Sequence, residues 1–140
     1  MTPAPGQVDE IVPRWEWRTF GDRFGEAEGR FAALSPERKQ ESDEIYLVSL
    51  KSDASVKVRD GLMDVKQLQR VDSSGLEQWK PTMKAAFPLS ADQVLLVMKA
   101  LGTKSPPPAR SEYELDQLID DLVSPSPELS AVKVRKRRAH

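Results

Sequence analysis

Lys57, Arg59 and Lys66 fall within SVKVRDGLMDVKQLQR, residues 55–70, at spacings that let them act together. Strand alternation places Lys57 and Arg59 on one face and Val56 and Val58 on the other. Asp60-Gly61 supplies the positive φ angles of a tight hairpin turn. The returning strand alternates too, setting Asp64, Lys66, Leu68 and Arg70 against Met63, Val65 and Gln67. Crossing the turn brings the three cations within reach of one another. Like charges on neighbouring strands repel, so a fold that gathers them usually has an anion to hold. The chemistry on offer is capture of an anion. The same alternation also describes a solvated strand face, which from the hairpin alone is the commoner outcome.

Composition narrows what else the chain could do. It contains no cysteine, which removes disulfides and thiolate metal sites, and its one histidine, His140, argues against a His-based catalytic dyad or zinc site. Any catalysis would run on carboxylates, lysine and arginine, and a hard metal ion. The net charge of −1 hides an asymmetry. Lys133, Arg135, Lys136, Arg137 and Arg138 crowd the end of the chain and leave the rest net acidic, so the basic character is local. At 140 residues, 39% hydrophobic and 31% charged, the chain reads as one soluble globular domain. No apolar run approaches the roughly 20 residues of a membrane helix. The N-terminus MTPAPGQVDE lacks a basic region followed by an apolar one, as a secretion signal requires. Together these features fit a cytoplasmic protein.

The elements that must position the cations follow from periodicity. Residues 1–11 form a loose lead-in. VPRWEWRTF alternates Arg14, Glu16 and Arg18 against Trp15 and Trp17, a strand whose Trp face packs on a helix or second layer rather than stacking on bases. Phe20, Phe24, Ala27, Phe31 and Leu34 make one helical stripe, with Asp22 as N-cap and Ser35-Pro36 as the stop. ESDEIYLVSL is a second strand. Asp72-Ser73-Ser74-Gly75 marks another hairpin turn, and Pro81 makes the strand after it an edge or a bulged strand. Ser90 and Gln93 form a capping box, with Leu89 and Val94 as staple, and Gly102 ends that helix. A third helix begins at Ser111, boxed with Glu114, and presents Leu115, Leu118, Ile119 and Leu122 on one face. The last element, LSAVKVRKRRAH, repeats the V-K-V-R of residues 56–59. Its cations could guard an edge strand, join the hairpin cations, or bind nucleic acid. Nucleic acid is the weakest of the three, because no aromatic interleaves the basic run and the rest of the chain is acidic.

This order of elements resembles the first half or more of the CYTH domain, the triphosphate tunnel metalloenzyme fold, over residues Val12 to Arg138. The resemblance implies an α+β fold: an antiparallel sheet or incomplete β-barrel with about three packing helices. It implies a single domain over residues 12–140, truncated at its C-terminus. VKVRDG is similar to the family strand that carries two phosphate-binding cations, here Lys57 and Arg59. MDVKQL assigns the same role to Lys66, KPTMKAAF to Lys84, and VKVRKRR to Lys133 and Arg135. The family's first strand bears two glutamates and a lysine. This chain has Arg14, Glu16 and Arg18 there, so Glu16 is the implied metal ligand and Arg18 stands for the lysine. From the residues alone, Glu16 is equally a salt-bridge partner of Arg18.

The implied cofactor is Mg²⁺ or Mn²⁺, although one glutamate holds a hard cation poorly. The acidic strand that completes the family's metal site would follow His140. Family members are metal-dependent triphosphate hydrolases and cyclases, and phosphoryl transfer needs a metal held by two or more carboxylates. The residues therefore favour binding of a triphosphate or polyphosphate ligand over complete catalysis. The alternative is a non-catalytic polyphosphate- or nucleotide-binding regulatory module. No membrane partner is expected, and open sheet edges would favour a homodimer.

Overall fold

The computed structural model describes residues 13–104 and 106–140; the lead-in expected over residues 1–11 lies outside them. Among the described residues, eight strands and three helices follow in the order β1 (Arg14–Glu16), α1 (Glu26–Ala32), β2 (Lys39–Ser49), β3 (Ser55–Arg59), β4 (Leu62–Val71), β5 (Glu77–Ala86), β6 (Leu89–Ser90), α2 (Ala91–Ala100), β7 (Glu112–Tyr113), α3 (Leu115–Leu118) and β8 (Leu129–Ala139). A π-helical turn over Ile119–Val123 extends α3. The fold is α+β, with an open antiparallel sheet in the order β1-β5-β4-β3-β2-β8 and a small β6-β7 pair.

The hairpin forms as its sequence dictates. Asp60 and Gly61 both adopt positive φ, 53° and 70°, the turn that matches the right-handed twist of two paired strands. Register then sets Val56 opposite Val65 and Val58 opposite Met63, while β2 adds Leu47 opposite Val56 and Ile45 opposite Val58. These apolar side chains share one face and pack with Leu89, Val97, Leu101, Leu118 and Val123 of the helical layer. Asp72 closes the β4–β5 turn, its carboxylate accepting from the backbone N–H of Ser74 and Leu76 at 2.8 and 2.9 Å. At Pro81 the register slips between β4 and β5, and β1 pairs only with Glu77–Trp79 of β5. Past Trp79 the bulged β5 is therefore the sheet edge, where a residue without a donor is tolerated.

Helix α2 starts with the expected reciprocal cap: Gln93 N–H donates to Ser90 Oγ and Ser90 N–H to Gln93 Oε1. Its last carbonyls, on Ala100 and Leu101, accept from Ser52 and Ser49 Oγ, both at 2.6 Å, which ties the helix to the end of β2 and the loop after it. Gly102 follows at φ 70°, and a Cβ there would lie 3.1 Å from the Lys51 carbonyl. Helix α3 begins later than its sequence cap signals, with Glu114 as N-cap and its N–H donating to Gln117 Oε1 at 2.9 Å. Among the described residues, no helix is long and apolar enough to cross a membrane.

The N-terminal region departs from expectation. The stripe from Phe20 to Leu34 yields only the short helix α1, which buries none of its residues; Phe20 and Phe31 are 84% and 73% exposed. Trp15 and Trp17 also stay exposed, with Arg70 stacked over Trp15, and the buried tryptophan is Trp79. The physical reason is that α2, α3 and the π turn occupy the apolar side of the sheet, so neither aromatic stripe finds a layer to cover it.

Met63 is fully buried where the hairpin meets the helices. Met63→Ala should destabilise the chain by about 2–5 kcal/mol through lost transfer energy and a residual cavity. Urea unfolding checks this: the midpoint falls while the m-value stays constant.

Candidate anion-binding site

The side chains that alternate away from the helices carry the charge. Cross-strand register aligns Tyr46, Lys57, Asp64 and Lys84 in one row across β2, β3, β4 and β5. Glu44 sits opposite Arg59 in the row nearer the turn, and Ser55, Lys66 and Pro81 form the row behind. Arg14, Arg38 and Arg138 converge with Lys57, Lys66 and Lys84 around a cavity of about 600 Å³ that Arg59 also lines. Arg14 belongs to one end of the strand order and Arg138 to the other, so the open sheet curls toward itself over this face. Asp64 is the one acidic side chain among the described residues that line the cavity.

Beneath this wall lies a carboxylate. The Glu44 side chain is 0% exposed and its oxygens lie 3.4 Å from Lys57 Nζ, 3.7 Å from Lys136 Nζ and 3.2 Å from Arg138 Nη2. Ser42 Oγ donates to it at 3.2 Å. Burial pushes the Glu44 carboxyl up, but Lys136, Lys57 and Arg138 together with the Ser42 hydroxyl outweigh it and hold the group below the ordinary glutamate value. Burial pushes the Lys57 ammonium down, reinforced by Lys136 and Arg59 and opposed by Glu44, and the net direction is downward. Lys136 also donates to the Tyr46 hydroxyl and lies 4.7 Å from the centre of that ring.

The cations anticipated from sequence separate into three places. Lys57, Arg59, Lys66 and Lys84 come together on the cavity wall. Arg18 and Glu16 pair with each other at 2.5 Å, and Arg18 lies 3.8 Å from Glu77 and 5.2 Å from the centre of the Trp79 ring. They do not line the cavity. Lys133 and Arg135 point to the opposite, helix-bearing face, where Arg135 binds Glu41 and Asp43 at 2.7 and 2.9 Å. The two V-K-V-R segments are thus in antiphase. Leu129 is 6% exposed in the core opposite Ser49, and it fixes the parity of β8 so that Lys136 and Arg138 reach the basic face instead. Counting in twos from Leu129 would have found this. Glu44 was equally findable, since Ile45 and Leu47 turned inward place Glu44 and Tyr46 on the face of Lys57.

The donors do not suit a divalent cation. Among the described residues, no group of three or more His, Cys, Asp or Glu side chains could hold one. Glu16 is paired with Arg18, and Glu44 with three cations. The arrangement can neutralise and orient a polyanion. Comparison with known proteins adds nothing to this description: no family model, no curated protein and no solved structure matches the chain.

The lowered carboxyl of Glu44 has a consequence for stability. A carboxyl whose folded value lies below its unfolded one stabilises the fold fully above the ordinary glutamate value, and that contribution is lost as pH falls through the lowered value. Urea unfolding followed between about pH 6 and pH 3 should show stability falling on acidification. In Glu44→Gln the fall should be shallower, because the group that takes up the proton is gone.

Proposed function

We propose that the curled basic face binds a triphosphate- or polyphosphate-type anion. The observation that carries this is the convergence of seven cations from separate strands and loops on one cavity lined by a single acidic side chain among the described residues. Gathering like charges on paired strands is unfavourable, and a multivalent anion offsets the repulsion. The similarity of VKVRDG and MDVKQL to the phosphate-binding strands of the CYTH domain supports the same ligand class. Hydrolysis is a further step that needs a metal and an oriented nucleophile, and among the described residues no group of three or more His, Cys, Asp or Glu side chains could hold that metal. Binding is therefore proposed as the activity of this chain, in a cytoplasmic setting to which its lack of cysteine is suited.

Isothermal titration with tripolyphosphate in the presence of EDTA tests this. Saturable binding is expected, with Lys57→Ala, Lys66→Ala and Lys84→Ala each weakening it about tenfold, the loss of roughly one charge-assisted hydrogen bond. Lys133→Ala, on the opposite face, should leave it unchanged. Absence of binding, or equal sensitivity to all four substitutions, would overturn the proposal. A mixed-sequence oligonucleotide that binds more tightly than tripolyphosphate would transfer the face to nucleic acid.

The downward displacement of Lys57 gives the site a pH signature. An anion favours the protonated amine, so affinity falls as pH rises through the lowered Lys57 value, earlier than for an ordinary lysine. Lys57→Arg keeps its charge throughout and should remove that alkaline decline in a titration series.

A further inference from the structure

The most deeply enclosed charge in the described chain is on the basic face yet closed off from it. The Glu44 side chain is 0% exposed, whereas those of its partners Lys57, Arg138 and Lys136 are 15%, 26% and 32% exposed. Lys57 and Arg138 also line the cavity, so the same two cations face a buried carboxylate on one side and the ligand space on the other. Arg14, Arg38, Lys66 and Lys84 differ from them. Among the described residues, none of these four forms an ion pair within 4.0 Å, although all line the same cavity. One end of the wall is therefore ion-paired to a buried carboxylate, whereas the other holds cations without an ion pair, with Asp64 opposite Lys84 as its one acidic neighbour among the described lining residues.

We infer that Glu44 is a tethered internal anion that competes with the ligand for Lys57 and Arg138 and so sets a charge threshold on what the face will hold. This rests on the anion-binding role proposed above and concerns its selectivity. A small anion placed by Lys57 and Arg138 meets cations whose field is partly cancelled and a carboxylate that repels it. A phosphate chain long enough to reach Lys66 and Lys84 also meets cations that no ion pair holds, and their attraction outweighs that repulsion. Coulomb interaction across a protein surface is strong enough for one buried charge to matter at this range. A carboxylate serving only to hold the strands together would leave ligand affinity unchanged on conversion to its amide, which is nearly the same shape.

Titrations of the full chain and of Glu44→Gln with orthophosphate and with tripolyphosphate, in EDTA at fixed ionic strength, test the assignment. Glu44→Gln should bind orthophosphate roughly tenfold more tightly than the unsubstituted chain and tripolyphosphate more tightly by a smaller factor, so that the preference for the longer anion narrows. Its ligand-free thermal midpoint should fall, because three cations lose their counter-ion. Affinities that stay the same or weaken would overturn the inference, since Glu44 would then be structural or would organise the cations for the ligand. Should Glu44→Gln not fold, Glu44→Gln/Lys136→Gln measured against Lys136→Gln removes one charge of each sign and reads the same ratio. If tripolyphosphate binds neither the unsubstituted chain nor Glu44→Gln, the anion-binding role itself fails and this inference with it. Binding by the unsubstituted chain without a gain in Glu44→Gln sinks only the inference.

Discussion

Lysines and arginines crowded onto one face of a twisted sheet repel one another, and the buried carboxylate of Glu44 is what allows this sheet to hold them. Lys57 comes from β3, Lys136 and Arg138 from β8, and Glu44 lies between them on β2. A charge taken wholly out of water is costly unless paired and hydrogen-bonded, and Glu44 has three cations and the Ser42 hydroxyl around it. That cluster also fastens the long edge strand β8 to the interior of the sheet from the polar side. From the apolar side the fastening is Leu129, packed with Leu47 and the helical layer.

The two faces of the sheet divide the work between them. Valines, leucines and methionine on one face bury themselves under α2, α3 and the π turn, which gives the sheet a fixed register. With the register fixed, every polar residue of the other face has a determined neighbour, and the basic wall follows from the hydrophobic pattern rather than from any attraction among the cations. The curl that brings Arg14 toward Arg138 makes the wall concave. Concavity in turn lets cations far apart in the strand order act on a single ligand.

The N-terminal region stands outside this scheme. Helix α1 and the tryptophans before it carry apolar stripes that the described chain does not cover, while Trp79 on β5 is buried in contact with Arg18 and Glu77. Periodicity reports that a stripe exists; it does not report whether a second layer is there to meet it.

Several features were determined by the sequence alone. The Asp60-Gly61 turn, the alternation of β3 and β4, and the Ser90–Gln93 cap are local, since each is set by backbone sterics or by hydrogen bonds within a few residues. Lys57, Arg59 and Lys66 were therefore legible as one group. The phase of elements distant in the chain was set by packing, which picks out Leu129 as the core residue from which the alternation of β8 is counted. Val132-Lys133-Val134-Arg135 looks identical to Val56-Lys57-Val58-Arg59 residue by residue, yet its cations face the helices because Leu129 is buried and strands invert their faces with every residue. Alternation from Ile45 and Leu47 separates Glu44 from Glu41 and Asp43, which pair with Arg135 on the other side, but its burial among three cations comes from the convergence of β3 and β8 upon it. Alternation is a local property with two equivalent phases, and the choice between them belongs to long-range packing.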